Sequence, residues 1–211
     1  MTQIDLREGI VETVRALTAH NLNRGTAGNV SARWGEGFLV TPTGLADDGM
    51  QPGDVVPMTM DGSWQGPRKP SSEWRFHRDL YAARPEAGAI VHAHAPFATA
   101  LACLRADIPH FHYIIARLGG ATVRCTANAT IGKQALSDAA LAALEDRCAC
   151  LLANHGLLVF GRDLRHALDL AIEFESLCEQ YWRALQVGRP VLLSDAEMET
   201  VLEKFRTYGQ S

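Results

Sequence analysis

"AGAIVHAHAPFATA", residues 87–100, decides how the fold is read. The stretch "AIVHAH" is apolar and partly β-branched, as a buried strand should be, and Pro96 just beyond it suits the first turn of a helix, "PFATALACL". A strand feeding directly into a helix points to a sheet with covering helices. Side chains alternate along a strand, so His92 and His94 leave it on the same side, with their rings near enough to grip one ion. The pair alone leaves two readings open: a metal site, or two hydrogen-bonded histidines sharing a face.

Working outward, the pattern alternates between the two element types. Residues 5–23 carry Leu6, Ile10, Val14 and Leu17 at helical spacing and stop near Gly25. "NVSARW" and "GFLVTPT" flank Gly35-Glu36-Gly37, and "DVVPMTM" meets "DGSW" at an Asp61-Gly62 turn, so this region reads as strands and hairpins. A helix is expected from Ser71 or Ser72 to about Arg84, with a serine N-cap and Glu73 in its first turn, where the helix dipole favours a carboxylate. A strand near 121–126 and a helix over 132–146 follow. "CACLLANHGLLVFG" reads as two buried strands around His155-Gly156, and Asp163 caps a long helix starting at Leu164. "SDAE" at 194–197 is a capping box opening a final helix. The order implies an α/β or α+β sheet with covering helices in one domain, 1–211.

Composition limits the function. Of 211 residues, 47% are hydrophobic and 21% charged, which is ordinary for a globular chain. A net charge of −4 without a Lys/Arg block argues against a nucleic-acid surface, so a phosphorylated substrate needs a local anion site. No 18-residue apolar window exists, and "MTQIDLREGIVETVRAL" has acidic residues where a signal peptide is basic; no membrane role and a cytoplasmic location are expected. Five scattered cysteines, with Cys148 and Cys150 spaced C-x-C, read as reduced core thiols.

Two further residues bear on the histidine pair. His155 sits in "LLANHGLL", where an unpartnered imidazole is costly to bury, although a satisfied core histidine fits equally. Glu73 opens a helix after two serines. Three imidazole nitrogens and one carboxylate oxygen complete a tetrahedral zinc shell, and a detachable carboxylate favours a catalytic over a structural ion. "NRGTAGNVSAR" (23–33), "TPTG" (41–44) and "KPSSEW" (69–74) offer small residues, hydroxyls, amides and a helix start suited to phosphate. Each alone is also ordinary turn chemistry.

Seven segments in order, "LNRGTAGNVSAR", "VTPTG", "PSSEWRFH", "AIVHAHAPFATA", "IPHFHYIIARLGG", "LLANHGLL" and "LSDAEMETVLEKFRTYG", resemble the class II aldolase/adducin-type family, its L-fuculose-1-phosphate aldolase branch most of all. The resemblance implies a three-layer α/β/α domain with a central mixed, largely antiparallel sheet. It implies a divalent ion, normally Zn²⁺ with Mn²⁺ or Co²⁺ as alternatives, on Glu73, His92, His94 and His155 at a homotetramer interface. A phosphate pocket from Gly28, Asn29, Thr43, Gly44, Ser71 and Ser72 is also implied. The implied reaction cleaves a ketose 1-phosphate, such as L-fuculose or 5-deoxyribulose 1-phosphate, to dihydroxyacetone phosphate and an aldehyde. Glu73, Tyr113 from the neighbouring subunit and the tail residue Tyr208 would be the catalytic groups. Ile131 and Arg117 depart from the family pattern and bear on the aldehyde. Pentulose-phosphate 4-epimerases and a methylthioribulose-phosphate dehydratase share the scaffold and are the competing reactions. A non-enzymatic adducin-like module predicts lost metal ligands, whereas all four positions are filled here.

Overall fold

The computed structural model describes residues 2–207. Helix α1 (Gln3–Ala19) begins earlier than its apolar spacing implies, because Thr2 and Asp5 form a reciprocal capping box. It also ends earlier: Asn21 turns left-handed at φ 59°, and Leu22 N–H closes back on the Leu17 carbonyl at 2.8 Å.

Six strands follow the chain as β1 (Asn29–Trp34), β2 (Gly37–Val40), β3 (Val56–Thr59), β4 (Ala89–Ala93), β5 (Ala149–Leu152) and β6 (Gly156–Gly161). They form one sheet in the order β3-β2-β1-β4-β6-β5, and all five ladders are antiparallel. The expected mixed character shrinks, among the described residues, to one isolated parallel bridge between Cys125 and Leu151.

Helices cover both faces, and the strand alternation shows it. Val30, Ala32, Leu39, Val91, Leu151 and Val159 pack on one side in a core with residues of α1, α3 (Pro96–Ala102), α5 (Leu164–Val187) and α6 (Asp195–Thr207). Phe38, Val40, Ile90, Cys150 and Leu158 pack on the other, against α2 (Trp74–Ala83) and α4 (Gln134–Ala143). Each fully buried aliphatic or aromatic side chain is worth about 1.5–3 kcal/mol, so register is firmly set. His92 lies two residues beyond Ile90, hence on the α2 face. That puts it opposite the start of α2, where Glu73 sits.

Three local expectations are corrected. Residues 121–126 form no strand; Val123 and Cys125 make only isolated bridges to Ile108 and Leu151. The hairpin partner "DGSW" reduces to a single bridge, Met58 to Trp64, beyond a turn where Gly62 takes φ 90°. Helix α4 covers 134–143 rather than 132–146, since Gly132 turns left-handed before it. The caps of the last two helices are as expected: Asp163 accepts from His166 N–H at 2.7 Å, and Ser194 and Glu197 form the capping box. No helix among the described residues is long and apolar enough to cross a membrane.

Candidate active site

Strand β4 carries His92 into the interior, fully buried, and its Nδ1–H donates to the Leu157 carbonyl on β6 at 2.8 Å. A carbonyl only accepts, so this bond fixes the tautomer and leaves the Nε2 lone pair facing the site. His94, just past the strand, points its Nε2 to within 3.1 Å of that atom. Its backbone N–H is held by the side-chain oxygen of Asn23 at 2.9 Å. His155 enters from the β5–β6 turn, where Asn154 is left-handed at φ 56°. The three ligand nitrogens all lie within 4.8 Å of one another.

Glu73 closes the cluster. Its Oε2 is 3.3 Å from His92 Nε2 and its Oε1 is 3.5 Å from His155 Nε2. Nitrogen and oxygen ligands about 2.0–2.1 Å from one tetrahedral ion stand roughly 3.4 Å apart, close to these separations. Glu73 Oε1 and His155 Nε2 are buried without a hydrogen-bond partner. Two orphaned polar atoms on a 5%-exposed carboxylate and a buried ring edge are costly unless something binds both. The donor set and the orphaned atoms together fit a divalent ion.

The electrostatics agree with ligand chemistry. Burial, assisted by the neighbouring His94, pushes His92 down to about 3; burial and the neighbouring His92 push His155 down to about 4. His94 is lowered by burial, against the opposing pull of Glu73. Neutral imidazoles are the form that binds metal. Burial raises the Glu73 carboxyl, opposed by His155, Asn29 and His94.

The anion segments converge on the start of α2. Pro42 bridges Pro70, Thr43 N–H donates to the Lys69 carbonyl at 3.1 Å, and Ser71 N–H donates to the Thr41 carbonyl at 2.9 Å. This sets Thr43-Gly44 beside Ser71-Ser72. Asn29 donates to Glu73 Oε2 at 2.9 Å. Gly28, at φ 74°, lies so close to β4 that a Cβ there would sit 2.6 Å from the His92 carbonyl and collide with Asn23. The serine N-cap is corrected: Glu73 itself holds the cap position, at φ −100° and ψ 13°, and Ser71 Oγ accepts its N–H at 3.3 Å. The carboxylate is thereby freed from capping its own helix.

The remaining expected residues lie elsewhere. Tyr113 is 52% exposed in a short 3-10 turn, stacked on His112 and facing Phe205. No hydrogen bond or ring contact links it to the three imidazoles among the described residues. Tyr208 falls outside the described residues. Arg117 is engaged by Glu173 at 2.7 Å. Ile131 is 56% exposed, and its neighbour Gly132 packs against Ser72, where a Cβ would meet the carbonyl at 2.9 Å. Ile131 therefore stands beside the proposed phosphate serines. His77, absent from the expected site residues, is fully buried and bonded to Asn29 at 2.6 Å. Its position four residues after Glu73, on the same helix face, was the available signal. Asn23, beneath His94, opens the 23–33 segment, where nothing local indicates a histidine contact.

Comparison with known proteins follows the same lines. The sequence profile described as "Class II Aldolase and Adducin N-terminal domain" matches residues 8–182. A 5-methylthioribulose-1-phosphate/5-deoxyribulose-1-phosphate aldolase from Rhodospirillum rubrum is 54% identical, over 100% of this chain and 95% of its own length. The L-fuculose phosphate aldolase of Escherichia coli K12 is 43% identical, over 99% and 98%. A solved structure titled "L-fuculose 1-phosphate aldolase" superposes with a TM-score of 0.92 at 38% identity, over 96% of each chain.

Proposed function

The chain belongs to the class II aldolase and adducin N-terminal domain family and is an aldolase, a carbon–carbon lyase; from that premise we propose that it cleaves 5-deoxyribulose 1-phosphate or its 5-methylthio analogue to dihydroxyacetone phosphate and a small aldehyde. The similarity to the Rhodospirillum rubrum enzyme carries this choice of substrate. The second reading, L-fuculose 1-phosphate, is favoured by the 43% identity to the Escherichia coli aldolase and by the closely superposing structure.

His92, His94, His155 and Glu73 would hold a divalent ion, zinc by the nitrogen-rich donor set, with manganese or cobalt accepted by the same ligands. Such an ion supplies Lewis acidity toward the ketone oxygen of the substrate. The chain's own residues do the rest. Ser71, Ser72, Thr43, Gly44 and the Gly28-Asn29 backbone bind the 1-phosphate through N–H and O–H donors. Asn29 has a second amide hydrogen for this while it tethers Glu73. When the C3–C4 bond breaks, the electron pair stays on C3 and the C4 hydroxyl loses its proton as the aldehyde forms. Glu73, whose carboxyl burial raises, takes up one proton in place of the one the C4 hydroxyl gives up and delivers it to C3. Tyr113 serves the C4 oxygen of substrate bound by a neighbouring subunit of a homotetramer, a reading supported by its exposure. Five unpaired cysteines, with burial pushing Cys148 up to about 11, support a reducing, cytoplasmic setting. The test is the ratio of kcat/KM for 5-deoxyribulose 1-phosphate and L-fuculose 1-phosphate; a preference for fuculose phosphate moves the assignment to the second reading.

A further inference from the structure

Below the imidazole cluster, α2 and β1 are joined by an interleaved ladder of polar side chains. Glu73, His77 and Tyr81 are four residues apart and form one stripe at the start and along the face of α2; Asn29 and Ser31 are two apart and share one face of β1. Four helical residues advance about 6 Å and two strand residues about 6.7 Å, so the two sets alternate without strain. The contacts run Tyr81 to Ser31 at 2.8 Å, Ser31 to His77 Nδ1 at 2.7 Å, His77 Nε2 to Asn29 Oδ1 at 2.6 Å, and Asn29 Nδ2 to Glu73 Oε2 at 2.9 Å. All five side chains are buried.

Donor logic gives the chain one direction. An ionised carboxylate only accepts, so Asn29 presents its NH₂ to Glu73 and its oxygen to His77. His77 then donates from Nε2 and keeps Nδ1 bare, Ser31 donates to Nδ1, and the Tyr81 hydroxyl donates to Ser31. Burial and the nearby His92 hold the His77 imidazolium well below the usual range, so the ring is neutral and its tautomer is what matters.

We propose that His77 is a positioning residue of the reaction: fixed as its Nε2–H tautomer by Ser31 and Tyr81, it orients the Asn29 amide, which tethers Oε2 of Glu73 beside His92 and leaves Oε1, the oxygen facing His155, without a hydrogen bond and open to the substrate. The catalytic consequence rests on the aldolase reading, while the tautomer does not. A polar chain buried this deeply is otherwise a cost, and its satisfied, one-way order suits a part that must hold a carboxylate in one rotamer.

The direct test is two-bond ¹⁵N–¹H correlation spectroscopy of ¹⁵N-histidine-labelled protein, metal-free and zinc-loaded, at neutral pH. His77 is expected with Nε2 protonated and Nδ1 bare in both; an Nδ1–H tautomer or a charged ring overturns the proposal. His77→Phe is expected to keep one zinc per chain by elemental analysis and to lower kcat about 10–100-fold, as loss of a buried orienting partner does, with KM changed by at most about threefold. His77→Gln, which keeps one donor and one acceptor at similar reach, should recover most of kcat. Equal impairment of folded His77→Gln and His77→Phe, or His77→Phe at wild-type kcat, contradicts the proposal. If His77→Phe does not fold, the wild-type tautomer and His77→Gln decide. Failure of the wild-type protein to cleave any ketose 1-phosphate sinks the aldolase reading and leaves the tautomer result standing.

Discussion

Glu73 Oε1 and His155 Nε2 face each other across 3.5 Å in a buried site, and neither has a hydrogen-bond partner. Two groups desolvated in this way destabilise the fold until a third atom binds both. Zinc should therefore raise the thermal midpoint of the metal-free protein, by mass action on the folded state. His155→Ala is expected to abolish most of that rise in a calorimetric scan with added zinc. An undiminished rise in the variant would place the ion elsewhere.

Acid should weaken the metal-free fold in a definite direction. His77 and His92 are fully buried and held neutral, their pKa values depressed by burial, whereas the unfolded chain takes up protons near 6.5. The unfolded state thus binds more protons below that pH, so stability is greatest above 6.5 and is lost as pH falls toward the folded values. Between pH 7.5 and 5.5 each of these two contributes about 1.4 kcal/mol at most, and Glu73 and Glu175, raised by burial, act the other way. Urea midpoints at the two pH values check it; equal midpoints would contradict the buried neutral rings.

Gly28→Ala tests the close approach of the proposed phosphate loop to β4. The residue is at φ 74° and its Cβ would stand 2.6 Å from the His92 carbonyl. Both the backbone conformation and the clash oppose alanine, so a loss of roughly 2 kcal/mol or more in chemical denaturation is expected, together with a raised KM for the phosphorylated substrate. Wild-type stability and KM would mean that the loop has room the structure does not provide.

Arg117 and Ile131 should behave differently. Arg117 is spent on Glu173, a partly exposed pair worth about 0.2–1 kcal/mol, so Arg117→Ala should shift stability slightly and leave the ratio of kcat/KM between aldehydes unchanged. Ile131 is exposed beside the Ser72 loop, so Ile131→Phe should change that ratio. The reverse pattern in an aldehyde panel would assign specificity to the charge.

Much of this site was legible because its parts obey short periods. His92 and His94 leave the chain on one side by alternation, and β4 carries His92 inward with His94 just past its end. Helices α1, α5 and α6 announce themselves through apolar stripes or caps, whereas α2 begins near the expected serines but is capped by Glu73. What escaped depends on tertiary neighbours. The extended segment at 121–126 has strand-like residues but is offered only isolated bridge partners. Spacing puts His77 on the Glu73 face of its helix, but nothing in the local sequence says that Asn29 and Ser31 lie opposite. Asn23, under His94, is a contact over seventy residues long in sequence. Pattern shows which face a residue leaves on, and only packing shows what it meets.

The most direct test of the central claim is a single experiment on the wild-type protein. Dihydroxyacetone phosphate release from 5-deoxyribulose 1-phosphate is followed before and after exhaustive chelation, then after one equivalent of zinc per chain. The account predicts rapid release, its near-complete loss on chelation, and its return with zinc in the wild type but not in His92→Ala. Unchanged release from protein that elemental analysis finds free of metal would contradict it.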